Sequence, residues 1–187
     1  MRIVGGELRG LKLAGIGAGD TAAHLRPTSD RVREAVFNLL LNGKAGDQVS
    51  ERRVLDLFAG TGALSLEALS RGAAEAVLVD DGKISGKLIA ENIAKTKLQA
   101  RAKLLRQDAC KLGPCPGPGF DLVFMDPPYG AGLGEKALSA ALSGDWIANG
   151  ATIVWEEEAE VLPPPGIFID DRRRYGSTFI TICEARL

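Results

Sequence analysis

One histidine, His24, and three cysteines, Cys110, Cys115 and Cys183, are all that this chain of 187 residues holds of the types that bind soft metals or act as strong nucleophiles. The cysteines are odd in number and lack C-x-x-C spacing, which argues against a disulfide framework or a structural zinc site. A lone histidine argues equally against a Ser-His-Asp triad. There is no run of 18 apolar residues and no secretory pattern after Met1, so neither a membrane span nor export is expected, and the expected location is cytoplasmic. The formal charge of −1 disfavours avid, nonspecific nucleic-acid binding. With 45% hydrophobic and 25% charged residues the chain can bury one substantial core, without length for a second large module. A single domain over 1–187, metal-free and monomeric, is expected.

The most specific feature present is Asp126-Pro127-Pro128-Tyr129, directly after the apolar run Leu122-Val123-Phe124-Met125. Two prolines remove two backbone donors and fix φ, so a strand stops there and the chain turns out of the sheet. An acid and an aromatic side chain are left at a strand end. In open α/β sheets that edge carries the ligand crevice.

A second pattern lies upstream. The buried-strand run Arg53-Val54-Leu55-Asp56-Leu57-Phe58 leads into Ala59-Gly60-Thr61-Gly62 and then into a helical pattern. Glycines in such a turn let backbone approach a ligand closely, beside a helix N-terminus. The next apolar run, Ala76-Val77-Leu78-Val79, ends at Asp80, an acid placed to accept hydrogen bonds from a ribose diol. The full G-x-G-x-x-G spacing is absent because Phe58 stands where a further glycine would be, so a nucleoside-sized ligand is favoured over a pyrophosphate.

The periodicity predicts an extended arm or hairpin over 1–13, a flexible loop over 14–25, and a helix capped by Ser29 or Thr28 that closes near Asn42-Gly43. Strands at 54–58, 76–80, 102–106, 120–125, 151–156 and 177–184 alternate with helices at 62–71, 83–95 and 134–143, the order of a doubly wound α/β sheet. A further strand near Ile167-Phe168-Ile169 is weakly signalled. Glycines 15, 17 and 19 follow no strand and read as a connection. The run Arg172-Arg173-Arg174 reads equally well as a solvated loop or as a basic contact.

Taken together, Asp56-Leu-Phe-Ala-Gly-Thr-Gly62, Asp80, Gln107-Asp108-Ala109 and Asp126-Pro-Pro-Tyr129 resemble the successive motifs of S-adenosylmethionine-dependent methyltransferases that modify exocyclic amino groups of bases. The segments Arg2–Leu13 and Arg26–Asn38 are similar to the opening segments of the bacterial 16S ribosomal RNA guanine-N2 methyltransferases of the RsmD type. That resemblance implies a Rossmann-like sheet of seven strands, mostly parallel with an antiparallel last strand, plus a small N-terminal extension. It implies an RNA-binding arm over 1–28 and a catalytic core over 29–187. The implied cofactor is S-adenosylmethionine, held by Asp56, Phe58, Gly60, Gly62, Asp80, Asp108 and Ala109. Asp81 stands as an alternative to Asp80 at the ribose, with Asp80 preferred. Asp126, Pro127, Pro128 and Tyr129 are the implied catalytic residues, the aspartate and the Pro127 carbonyl facing the amino group and Tyr129 stacking on the base.

The implied partner is 16S ribosomal RNA or the small ribosomal subunit particle. Residues 1–33 carry six basic and three acidic side chains, and Arg2, Arg9, Lys12, Arg26, Arg31 and Arg33 are the expected RNA contacts. Two readings compete. A DNA adenine-N6 or cytosine-N4 methyltransferase would share Asp-Pro-Pro-Tyr but usually needs an added target-recognition region. A noncatalytic cofactor-binding or RNA-binding module would have no use for both reactive motifs.

Overall fold

The near-continuous apolar runs read from the sequence become strands buried on both faces, as central parallel strands must be when helices cover each side. In the computed structural model, which describes residues 1–15 and 28–187, these are β1 (Arg53–Leu57), β2 (Glu75–Val79) and β4 (Phe120–Met125), with the more exposed β3 (Ala102–Leu105) at the sheet edge. They continue into β5 (Ile147–Glu157), β6 (Ile167–Tyr175) and β7 (Thr178–Ala185). The seven strands form one sheet in the order β3-β2-β1-β4-β5-β7-β6. Neighbours from β3 to β5 pair in parallel, while β7 runs antiparallel to both β5 and β6 and is the reversed strand. The chain steps outward from β1 through β2 to β3, then returns to place β4 on the other side of β1. That reversal is the topological switch point, where a doubly wound sheet opens a crevice.

Helix α1 (Asp30–Asn42) is capped by Ser29, whose Oγ accepts from the Val32 amide at 3.2 Å, and it closes at Gly43. With α2 (Ala63–Ser70) and α3 (Lys83–Thr96) it covers one face of the sheet, where Phe37, Leu40, Leu66, Leu69 and Ile89 share a cluster with Phe124 and Val154. Helix α4 (Leu133–Ser143) covers the other through Ala137, Leu138 and Ala141 against Val123, Ile153 and Trp155.

One expectation changes. The weak signal at 167–169 is the start of a nine-residue strand, β6, which also takes in Arg172-Arg173-Arg174, so the basic run is not a loop. An edge strand with one solvated side, and with a bulge between Ile169 and Asp171, lacks the alternation by which strands are recognised. The arm at 1–13 doubles back as expected, with Arg2 bridged to Lys12, and it is tied to the core. Ile3 and Leu13 are buried, the Val4 amide donates to Glu67 Oε2 at 2.7 Å, the Leu8 amide to Ser70 Oγ, and the Ala14 amide to Asn92 Oδ1. The glycines at 17 and 19, and most of the loop expected over 14–25, lie outside the described residues.

Glu67, fully buried, is the hub of that attachment. It pairs with Arg71 at 2.7 Å and with the Arg33 guanidinium at 3.7 Å, and Arg33 also donates to the Arg2 carbonyl and to Asp30. Arg33 is therefore an interior residue, and its expected place among the RNA contacts is corrected here: a guanidinium with no exposed surface cannot meet a phosphate. Removing one partner of a buried pair leaves the other charge uncompensated. Glu67→Ala should cost about 3–5 kcal/mol of unfolding free energy, more than Glu67→Gln, which keeps the acceptor oxygen. Urea unfolding of the two variants checks this, and equal, small losses would show that the pair contributes little.

Candidate active site

The crevice is assembled from four strand ends. After β1 the chain enters a tight loop in which Phe58 (φ 63°) and Gly60 (φ 59°) are left-handed. A left-handed phenylalanine is costly, on the order of 1–3 kcal/mol, and such residues cluster at ligand sites. The loop is held against β2: the Ala59 amide donates to the Val79 carbonyl at 3.1 Å and the Gly60 amide to Asp80 Oδ2 at 2.9 Å. Gly62 (φ 77°) starts α2, and a Cβ there would lie 2.7 Å from Leu78 Cδ2, so only glycine lets the helix begin this close to β2. No side chain caps α2, which leaves its first amides to other acceptors.

Asp80 binds inward twice, its Oδ1 accepting the Gly82 amide at 2.9 Å, whereas Asp81 is exposed. Asp108 caps a short turn at Ala109–Lys111 through the Cys110 amide at 2.9 Å. That hydrogen bond, with Lys111 nearby, holds its carboxyl below the usual range. Asp126 leaves β4 beside β1, its amide donating to the Leu57 carbonyl. Together these ends enclose a cavity of about 1030 Å³ lined by Asp56, Phe58, Gly60, Asp80, Asp81, Asp108, Ala109 and Asp126 through Tyr129.

The sequence-predicted residues thus converge, with one exception: Gly62 shapes the turn without lining the cavity. The expected RNA contacts lie elsewhere. Arg2, Arg9 and Arg31 are exposed and border a smaller depression of about 360 Å³ with Asp30 and Glu34. Lys12 is exposed opposite Arg2, and Arg26 lies outside the described residues.

Electrostatically the cavity is predominantly acidic, with Lys83 the one lysine or arginine on its wall among the described residues. Asp56 is buried and accepts from Ser65 Oγ at 2.8 Å, and burial raises its carboxyl to about 7. Burial, then the charges of Glu156, Asp56 and Glu157, push Asp126 well above the ordinary carboxylate range. The Tyr129 phenol is pushed up by burial and by Glu156, to which its hydroxyl donates at 3.3 Å. Glu156, near the end of β5, is a residue that the sequence reading did not single out. Its signal was the one used for Asp80 and Asp126: an acid following an apolar run, here Ile153-Val154-Trp155. Thr28 and Met1 also line the cavity. A ligand carrying a cation and a vicinal diol fits this set of carboxylates, backbone amides and apolar walls. Among the described residues no group of three or more His, Cys, Asp or Glu side chains could hold a metal ion.

A family model described as conserved hypothetical protein 95 matches residues 1–184. The ribosomal RNA small subunit methyltransferase D of Escherichia coli strain K12 is 38% identical, over 86% of this chain and 76% of the relative. The Haemophilus influenzae protein of the same name is 33% identical over 86% and 80%. Among solved structures, yhhF, a candidate methyltransferase of Escherichia coli, superposes with a TM-score of 0.82 at 33% identity, covering 100% of this chain and 98% of that one.

The raised Asp56 carboxyl makes stability depend on pH. Because the folded chain holds that proton more tightly than the unfolded one, the contribution is complete below the ordinary value of 3.8 and is lost as pH rises through about 7. Asp56→Asn cannot ionise. Its unfolding free energy should therefore fall less between pH 4 and 7 than that of the wild type, by on the order of a few kcal/mol, as measured by denaturant titration across that range.

Proposed function

The chain belongs to the family described as conserved hypothetical protein 95, that of the small-subunit ribosomal RNA methyltransferases D, and we propose that it methylates the exocyclic N2 amino group of a guanine in 16S ribosomal RNA. The observation that supports this most directly is the meeting of Asp126-Pro127-Pro128-Tyr129 with Asp56, Asp80 and Asp108 around one cavity at the switch point. When bound there, S-adenosylmethionine supplies an electrophilic methyl group on a cationic sulfur. Asp80 would take the ribose hydroxyls with lone pairs left over from its two backbone contacts, Asp108 and Ala109 the adenine, and Asp56 with the 58–62 loop the amino-acid end. No helix among the described residues is long and apolar enough to cross a membrane. A 16S RNA substrate places the enzyme in the cytoplasm.

The protein's contribution to the chemistry is chiefly positioning. A guanine amino nitrogen is a weak nucleophile because its lone pair is delocalised into the ring. Holding reactants in a near-attack geometry can supply roughly 7–11 kcal/mol of a barrier. Asp126 and the Pro127 carbonyl accept the two N–H hydrogens, which draws the nitrogen toward a tetrahedral form and stabilises positive charge as it develops. Pro128 has no amide hydrogen and cannot compete as a donor for these acceptors. Tyr129 offers its face to the extruded base, without which a stacked amino group cannot enter the cavity.

Cofactor binding and chemistry separate by mutation. Asp80→Ala should weaken S-adenosylmethionine binding by roughly 1–3 kcal/mol, since it removes an acceptor and frees the Gly60 amide at once. Asp126→Ala should keep the affinity within a few fold and slow transfer by two or more orders of magnitude, as expected for loss of a transition-state partner. Calorimetry and single-turnover transfer measure the two, and an Asp126 variant at the wild-type rate would remove the mechanism.

The RNA surface is modest. Arg2, Arg9, Lys12 and Arg31 offer a few phosphate contacts, with Arg26 a further candidate. Since log affinity falls by about 0.7–0.9 per neutralised phosphate against log salt, binding to naked RNA should be weak and shallowly salt-dependent. A preassembled small-subunit particle should be the better substrate, and replacing Arg2, Arg9 and Arg26 by alanine should abolish transfer while cofactor binding persists. Incubating labelled cofactor with particles, free 16S RNA, transfer RNA and duplex DNA tests the assignment. Label confined to duplex DNA would overturn the RNA reading, and label confined to transfer RNA would change the partner.

A further inference from the structure

Glu156 stands just behind the cavity, 8% exposed and near the carboxyl end of β5. Its two oxygens serve two different segments. Oε1 accepts the Tyr129 hydroxyl at 3.3 Å, and Oε2 accepts the Thr28 hydroxyl at 2.9 Å. Thr28 lines the cavity immediately before the Ser29 cap of α1, and Tyr129 ends the Asp-Pro-Pro-Tyr turn. Thr178, at the start of β7, lies near the Tyr129 phenol. One carboxylate thereby joins the entry to α1 with the turn that carries the base-stacking ring, and the ring is held at its hydroxyl end.

Such a group is expensive to keep for packing alone. A buried carboxylate loses hydration, and here it also lies close enough to Asp126 for the two charges to oppose each other. An apolar side chain would end β5 at less cost, whereas a bidentate acceptor is what two hydroxyl donors from separate segments require. Resting on the methyl-transfer reading above, we propose that Glu156 is a positioning residue for the reaction: by accepting both hydroxyls it fixes the Tyr129 ring over the base site and sets it relative to the segment that enters α1. It touches neither the base nor the cofactor, and it acts through Tyr129.

Two variants distinguish this from a structural role. Glu156→Ala should lower the single-turnover rate about 10- to 100-fold, the scale expected when a reactant is misplaced by about an ångström, with S-adenosylmethionine affinity unchanged. Glu156→Gln keeps the shape and an acceptor oxygen and should recover most of the rate. Thr28→Val should give a smaller loss in the same direction. A wild-type rate for the alanine variant, or a glutamine variant as defective as alanine, overturns the proposal. A readout independent of methyl transfer comes from 3-fluorotyrosine, because the chain has two tyrosines and Tyr175→Phe leaves Tyr129 as the sole fluorine signal. In that background Glu156→Ala should shift and broaden the Tyr129 resonance, and Glu156→Gln should restore it in large part. An unmoved resonance overturns the contact even where transfer has fallen. Failure of the wild type to methylate any RNA would sink the functional reading, and the fluorine spectrum would still decide whether Glu156 fixes Tyr129.

Discussion

Because β1 and β4 pair in parallel, with Asp56 opposite Phe124 and Leu57 opposite Met125, the chain leaves the sheet after both strands at the same edge. Everything in the cavity depends on that coincidence. The same register brings β2 to its end at Val79 beside Leu57, so Asp80 can reach the Gly60 amide and hold the loop that follows β1. Parallel pairing repeats strand direction, and β2, β3 and β4 are each followed at this edge by an acid, Asp80, Asp108 and Asp126, beside Asp56 near the end of β1. The crevice is acidic because the topology stacks strand ends, whatever the sequence distance between them.

Crowding these carboxylates has a cost that the structure meets in different ways. Asp80 and Asp108 accept backbone amides, and the Cys110 amide with Lys111 holds the Asp108 carboxyl below its ordinary range. Asp56, buried, and Asp126, half-buried at the cavity wall, have fewer donors, and both carboxyls are pushed up. A cationic ligand would relieve both. Without one, these acids oppose the fold as pH rises, and the site is held at the expense of stability, as functional sites often are.

The N-terminal arm illustrates how exposed basic residues can be carried on a short segment without leaving it loose. Its inner side is docked by Ile3, Leu13 and the buried Arg33–Glu67–Arg71 group, and Asn92 binds Ala14 and the Thr61 carbonyl together. Its outer side presents Arg2, Arg9 and Lys12. The docking ties the arm to α2, whose first residues border the cavity. A group engaged through the arm would therefore be registered against the Asp126–Tyr129 turn by packed structure.

The βα alternation, the two glycine and proline turns, and the acids ending strands were legible in the sequence, because each rests on local physics: proline removes a donor, glycine permits positive φ, and apolar runs of strand length must be covered on both sides. The fates of Arg33, Glu156 and the run Arg172–Arg174 were not legible. Arg33 looked like its exposed neighbours, but its position on α1 turns it toward Glu67 on another helix, and helix-to-helix packing fixes that partner. Glu156 carried the same strand-end signal as Asp126, yet its partners are the hydroxyls of residues 28 and 129, which meet it across the fold. The basic run joined an edge strand whose pairing lies on one side, where alternation is weak. Local sequence determined which chemistry this chain carries and at which strand ends, since those constraints act within a few residues. Tertiary structure alone decided which charges face the cavity, which are spent inside the core, and which buried acid holds the tyrosine, because burial and pairing are properties of neighbours that the chain brings together only on folding.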